Sequence, residues 1–186
     1  MLISLFLVGC ASDPARRAVV ADREVARLAP PIKPLTGFSE YTLIPISMSA
    51  DVQADEDKVA VARELGTKLN VRLTPLLDSW RARKHQNASG TLVIEPKVQE
   101  LRVVSGGARF FVGAWMGESF INLDLKLTDS STGQVIATPR IWQNASAEGG
   151  KWSIGATDRN LLDYIVDTVH RYLEVNHTPG QQPLKE

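Results

Sequence analysis

Side chains able to do chemistry are few in this chain, and their spacing argues against most enzyme classes. There is one cysteine, Cys10, and there are three histidines, His85, His170 and His177. A lone cysteine cannot form an intrachain disulfide, and in an oxidising compartment its thiol is a liability unless a modification consumes it. His170 and His177 lie seven residues apart, about two helical turns, too far to share one ion directly. They read as solvated residues on a helix surface, and no metal or cofactor is expected. The chain has no nucleophile elbow, zincin helix or phosphate-binding glycine loop, so catalysis is not expected either. Lys plus Arg and Asp plus Glu both number 21, and a net charge of zero supplies no field to draw in nucleic acid.

Recognition by apolar and aromatic groups is the chemistry that remains. Residues 105–117 combine Gly106, Gly107, Gly113 and Gly117 with Phe110, Phe111, Trp115 and Met116, where a strand-to-strand connection should be polar. Two readings stay open: a bulged hairpin whose aromatics pack internally, or a contact loop in which glycines give freedom and aromatics give anchors. The Gly113–Gly117 spacing is a membrane-helix motif only within about 20 apolar residues, which are lacking. Trp142 and Trp152 lie near Arg140 and Lys151 and form a second candidate surface, suited to a glycan or other small molecule. Trp80 is expected to cap the core at the end of a long helix.

The segment before Cys10 gives its thiol a purpose. Residues 1–9 are an apolar run far below the roughly 20 residues that span a bilayer. Leu7-Val8-Gly9-Cys10 resembles the lipobox of bacterial lipoprotein precursors, with Leu three before and a small residue one before the cysteine. The resemblance implies that residues 1–9 are a signal peptide, that the Cys10 thiol receives diacylglycerol, and that the new amino terminus is acylated. More than one chain is needed for stable anchoring. No Lys or Arg precedes Cys10, a departure from the signal pattern that a truncated start would explain. Ala11 and Ser12 stand where enteric inner-membrane lipoproteins carry aspartate, which points to the outer membrane, on its periplasmic face.

Those residues need elements to position them. At 44% hydrophobic and 23% charged residues, composition suits one globular domain. Pro14, Pro30, Pro31 and Pro34 mark residues 10–34 as a lipidated cysteine and proline-rich tether with at most a transient helix over 15–28. The domain is expected over residues 35–178 and a flexible tail over 179–186. Residues 41–47 predict an edge or bulged strand because of Pro45. A long helix follows over 55–83, with acids at its start and bases at its end, kinked or divided at Pro75. Strands are predicted over 91–104, bent at Pro96, and over 119–128, where Ile121, Leu123, Leu125 and Leu127 form the core face. After the turn at 129–133, a strand over 134–146 puts Val135, Ala137 and Ile141 on one face and Trp142 on the other. A helix over 158–177 buries Leu161, Leu162, Ile165, Val166, Val169 and Leu173. The order β-α-β-β-β-α predicts an α+β fold, an antiparallel or mixed sheet with two helices on one face.

The glycine-rich lead 107–117, the alternating strand Ile121-Asn122-Leu123-Asp124-Leu125-Lys126-Leu127 and the Asp129-x-x-Thr132-Gly133 turn together resemble uncharacterised proteobacterial envelope lipoproteins, classed as domains of unknown function. Such domains serve as accessory subunits, secretion-channel components or activators of cell-wall synthases, and none of their functional residues maps onto this chain. The expectation is a membrane-anchored, non-enzymatic assembly module with an envelope protein partner. A small-molecule or glycan-binding lipoprotein is the alternative.

Overall fold

The computed structural model describes residues 14–83, 85, 87–102, 119–144 and 156–177. In chain order these form α1 (Pro14–Val25), a 3-10 turn (Leu35–Gly37), β1 (Glu40–Leu43), β2 (Ser47–Met48), α2 (Ala50–Gln53), α3 (Glu56–Ala82), β3 (Thr91–Arg102), β4 (Phe120–Asp129), β5 (Val135–Ala137), β6 (Arg140–Asn144) and α4 (Ala156–His177). The fold is mixed α+β, with four α-helices and an open six-stranded sheet among the described residues. β3 and β4 are its antiparallel centre, β1 and β2 run parallel to β3 on one edge, and β5 and β6 run antiparallel to β4 on the other.

Strict alternation explains β4, whose Ile121, Leu123, Leu125 and Leu127 all face the core. β3 alternates through Leu92, Ile94 and Val98, then steps three residues to Leu101, because the pairing with β4 shifts between Val98 and Glu100. That bulge restores the apolar side chain to the core face. Pro96 is accepted in a central strand for a related reason. Ile94 and Val98 turn their carbonyls to the outer strand, accepting from the amides of Ile44 and Ser49. The N–H that Pro96 lacks would point the same way, into the break between β1 and β2 where Pro45 sits. Two prolines thus face each other across a gap in the ladder, and no amide is wasted.

α3 and α4 bury their apolar stripes on the core face of the sheet: Ala62, Leu65, Leu69, Leu73, Leu77 and Trp80 from one, Leu162, Ile165, Val169 and Leu173 from the other. Asp55 caps α3, its carboxylate accepting from the amides of Asp57 and Lys58 at 3.0 and 3.1 Å. Of the two outcomes expected at Pro75, a kink or a division, the division does not occur, since α3 runs unbroken through it. The carbonyl left without a donor belongs to Val71, whose side chain is 69% exposed, so the loss falls on the solvent side, where water can satisfy it.

Two other expectations are corrected. The described part of the presumed tether, residues 14–34, is docked on the domain. Arg17 of α1 bonds Asp163 of α4 at 2.8 Å, Asp22 pairs with Arg171, and Ala21 and Val25 are buried. The chain then runs down the β5 edge, where the Ile32 amide donates to the Ile136 carbonyl and Lys33 pairs with the buried Asp129. In β5 the core residue is Ile136, while Val135 is 45% exposed. The break at Thr138-Pro139 shifts the alternation, so Ile141 returns to the core as expected.

The Asp129–Gly133 turn is a structural device. Asp129 accepts from the Ser131 amide and hydroxyl, and Gly133 adopts a φ of 71° that side chains disfavour. The Lys33 bond, first, and the Ser131 bonds hold the Asp129 carboxyl well below the ordinary carboxylate range.

Candidate functional site

Cys10, Phe110, Phe111, Trp115, Met116 and Trp152 lie outside the described residues. The described ends of the chain leading to them can be placed. α1, α3 and α4 run parallel, since Arg17 and Lys68 both reach Asp163 while Trp80 stacks on His177 further along. The C-terminal ends of α3 and α4 meet Tyr41 at the start of β1. The N-terminal ends of the three helices therefore point toward the other end of the sheet. There β3 ends at Arg102, paired with Phe120 at the start of β4, which is paired in turn with Asn144 at the end of β6. Residues 103–118 and 145–155 thus both spring from the end of the domain toward which α1 begins.

Trp142 is 51% exposed on the face of the sheet opposite the helices. Its strand neighbour Arg140 reaches across to Asp124 with two hydrogen bonds, at 2.8 and 3.3 Å, and Gln99 donates to the same carboxylate at 2.7 Å. The Arg140 bond holds the Asp124 carboxyl below its usual range against the opposing effect of burial. Lys126 and Glu95 continue the pattern at 3.0 Å, so among the described residues Trp142 stands beside charges that are already paired.

A groove of about 800 Å³ opens on the helical side, between α1, α3 and α4, and Trp142 does not line it. Its walls carry acids and bases in alternation: Asp163 accepts from both Arg17 and Lys68 at 2.8 Å, and Asp167 lies 3.2 Å from Arg17 and 3.9 Å from Arg72. His170 packs beside Glu174 at 3.3 Å, and burial, the largest influence, lowers its pKa. Opposed charges in mutual contact fasten helices together and leave little unspent charge for a ligand. Among the described residues, no three His, Cys, Asp or Glu side chains converge to hold a metal.

At the far end lies a cluster that sequence reasoning missed. His177, expected in solvent, is 6% exposed, stacked on Trp80 with ring centroids 3.9 Å apart and flanked by His85 at 5.6 Å. Its Nε2 is 3.2 Å from the Tyr41 hydroxyl, which also lies 3.0 and 2.9 Å from the carbonyls of Leu35 and Phe38. One phenolic proton cannot serve all three acceptors; where it goes to a carbonyl, the Nε2–H of His177 donates to the Tyr41 oxygen. Burial first, then His85 and Arg83, lowers the His177 pKa to about 4, and burial pushes Tyr41 up to about 12. The signal was present, because the α4 stripe Val166, Val169, Leu173 extends by four residues to position 177.

No family model matches the chain, and no curated protein is similar to it. Among solved structures, it is similar to a single-substitution variant of the PelC dodecamer from Paraburkholderia phytofirmans, at 12% identity and TM-score 0.43, covering 79% of this chain and 95% of that one. The PelC dodecamer in another crystal form matches at 11% and 0.42, with the same coverage. A Xanthomonas campestris protein of the domain-of-unknown-function family DUF330 matches at 10% and 0.39, covering 78% and 83%. At such values the functional reading rests on this chain's own residues.

Proposed function

We propose that the chain is a membrane-anchored periplasmic lipoprotein, lipidated at Cys10, that acts as a non-enzymatic assembly module of the cell envelope, at the outer membrane. The observation that supports it most is the common end of the domain toward which α1 begins and from which residues 103–118 and 145–155 depart. Cys10 lies four positions before Pro14, a reach of roughly 14 Å in extended chain. A lipid on Cys10 would hold that end against the bilayer, bringing Phe110, Phe111, Trp115 and Met116 to the membrane surface, where an envelope partner would meet them. A glycan-binding role for Trp142 has less support, since its side chain stands on an open sheet face away from the groove.

The test is expression of the full chain in a Gram-negative host, comparing wild type with Cys10→Ala by intact mass and membrane fractionation. Acyl mass on the wild type and release of the variant alone are expected. A wild-type chain that carries no lipid would remove the address, and an unchanged partner set for Phe111→Ser with Trp115→Ser would remove the loop from the reading.

A further inference from the structure

The helices of this domain are not held equally well. α3 and α4 bury apolar stripes on the sheet, whereas α1 is fastened to the outside of α4. A groove of about 800 Å³ lies between α1 and α3, so the contact with α4 is what holds it. Among its described side chains Ala21 and Val25 are buried, while Val19 is 58% exposed. Charge supplies the rest. Arg17 lies 2.8 Å from Asp163 and 3.2 Å from Asp167, and Asp22 lies 2.5 Å from Arg171, with these side chains still between 21% and 43% exposed. Ion pairs this open are weak and are screened by salt. Twelve residues are also too few for a helix that is stable alone in water. The chain after α1 is secured independently. The Tyr172 hydroxyl donates to the Ala29 carbonyl at 2.9 Å, the Ile32 amide donates to the Ile136 carbonyl, Lys33 pairs with Asp129, and Leu35 and Phe38 are buried. Pro30 and Pro31 bar the helix from continuing into that segment.

We propose that α1 is a releasable strap, latched on α4 by the ion pairs of Arg17 and Asp22, which swings off about the Leu28–Pro30 junction while the sheet, α3 and α4 stay folded. The residues of α4 are prepared for its departure. Asp163 keeps Lys68 at 2.8 Å, Asp167 keeps Arg72 at 3.9 Å, and Arg171 keeps Glu174 at 3.9 Å, so each latch residue on α4 has a second partner within the remaining domain. Release uncovers little apolar surface, since Ala21 and Val25 have small side chains, and the charges on α1 return to water. A latch made of partly exposed charges opens as ionic strength rises. In the lipoprotein reading, on which only this consequence rests, the strap sets how far the domain stands from the bilayer. With α1 docked, about 14 Å of chain joins Cys10 to Pro14; with α1 released, 19 positions join Cys10 to the anchored Ala29, a reach of at most about 65 Å.

The test follows amide exchange in the full-length, unlipidated Cys10→Ala chain between about 20 and 500 mM sodium chloride. Exchange over residues 17–28 should quicken severalfold across that span, with residues 29–38, β3 and β4 unchanged. Asp22→Arg should give the quick exchange already at low salt, and adding Arg171→Asp, which restores the pair with its signs reversed, should slow it again. A nitroxide on Cys10 of the unmodified chain, made without lipid in the cytoplasm, tells release from fraying in place. Its broadening of the Asp163 resonance, which shares the groove with Pro14, should be present at low salt and fade at high salt. Exchange in α1 that ignores salt, or that quickens together with β3 and β4, overturns the proposal, as does broadening at Asp163 that persists at high salt. Each of these results leaves lipidation at Cys10 to be decided by its own experiment.

Discussion

The Trp80–Tyr41–His177 cluster predicts that the domain loses stability in mild acid, well above the pH at which its carboxylates protonate. His177 is held neutral in the folded protein, with a pKa of about 4 against an ordinary 6.5. An unfolded chain takes up this proton first, so the contribution is complete above pH 6.5 and is lost as pH falls from 6.5 to about 4. About 2.5 units at 1.36 kcal/mol each set an upper limit of roughly 3 kcal/mol, an appreciable share of a small domain's stability. The perturbation that isolates it is His177→Phe, which keeps a ring against Trp80 and leaves the Tyr41 hydroxyl its carbonyl acceptors. Urea unfolding followed by tryptophan fluorescence at pH 7.5, 6.5, 5.5 and 4.5 gives the two stability curves. His170, whose pKa is also lowered by burial, titrates in both proteins and cancels in the difference. Asp124 and Asp129, with lowered pKa values, begin to lose their contribution only as the pH enters the ordinary carboxylate range, and do so alike in both proteins. Wild type should fall by about 2 to 3 kcal/mol more than the variant between pH 7.5 and 4.5. Parallel curves would refute the argument, since they would mean that protonated His177 is accommodated without loss.

Two further outcomes follow from close packing and from the helix network. At Gly66 an added Cβ would lie 2.5 Å from Ile46 Cγ2, so Gly66→Ala should destabilise by about 1 kcal/mol net despite the helix propensity it gains. Ile46→Leu, which removes the branching methyl, should recover most of that loss in the double variant, as thermal melts would show. Asp163→Asn weakens the bonds of both Arg17 and Lys68, and amide exchange over residues 17–25 should quicken severalfold with little change in β3 and β4. Uniform acceleration across the domain would contradict that local account.

Much of the fold was legible because local periodicity and tertiary burial agree. β4 alternates without exception, and the uneven spacing in β3 was itself the record of the bulge at Val98–Glu100. Pro45 signalled an edge, and the stripes of α3 and α4 matched the buried residues closely. What escaped depends on partners remote in sequence. Among the described side chains of α1, Ala21 and Val25 are in the core, and its ion-pair partners on α4 lie 146 and 149 positions away, so its own residues read as a polar tether. Val135 and Ile136 exchanged faces because a break at Thr138-Pro139 cannot be located from apolar spacing alone. Trp142 was placed outward from alternation, and it stands 51% exposed on the face opposite the helices.

The docking of α1 on α4 also sets an order of events. Residues 17 and 22 find their partners at 163 and 171, so the first described helix closes against the last. A contact across nearly the whole chain carries the largest loop-closure cost and forms late. As the chain is made from its N-terminus, α1 must wait, without its ion-pair partners, until the last helix has emerged. Any factor that acts on the N-terminal segment therefore has its window before α4 exists, and completion of the C-terminal helix ends it.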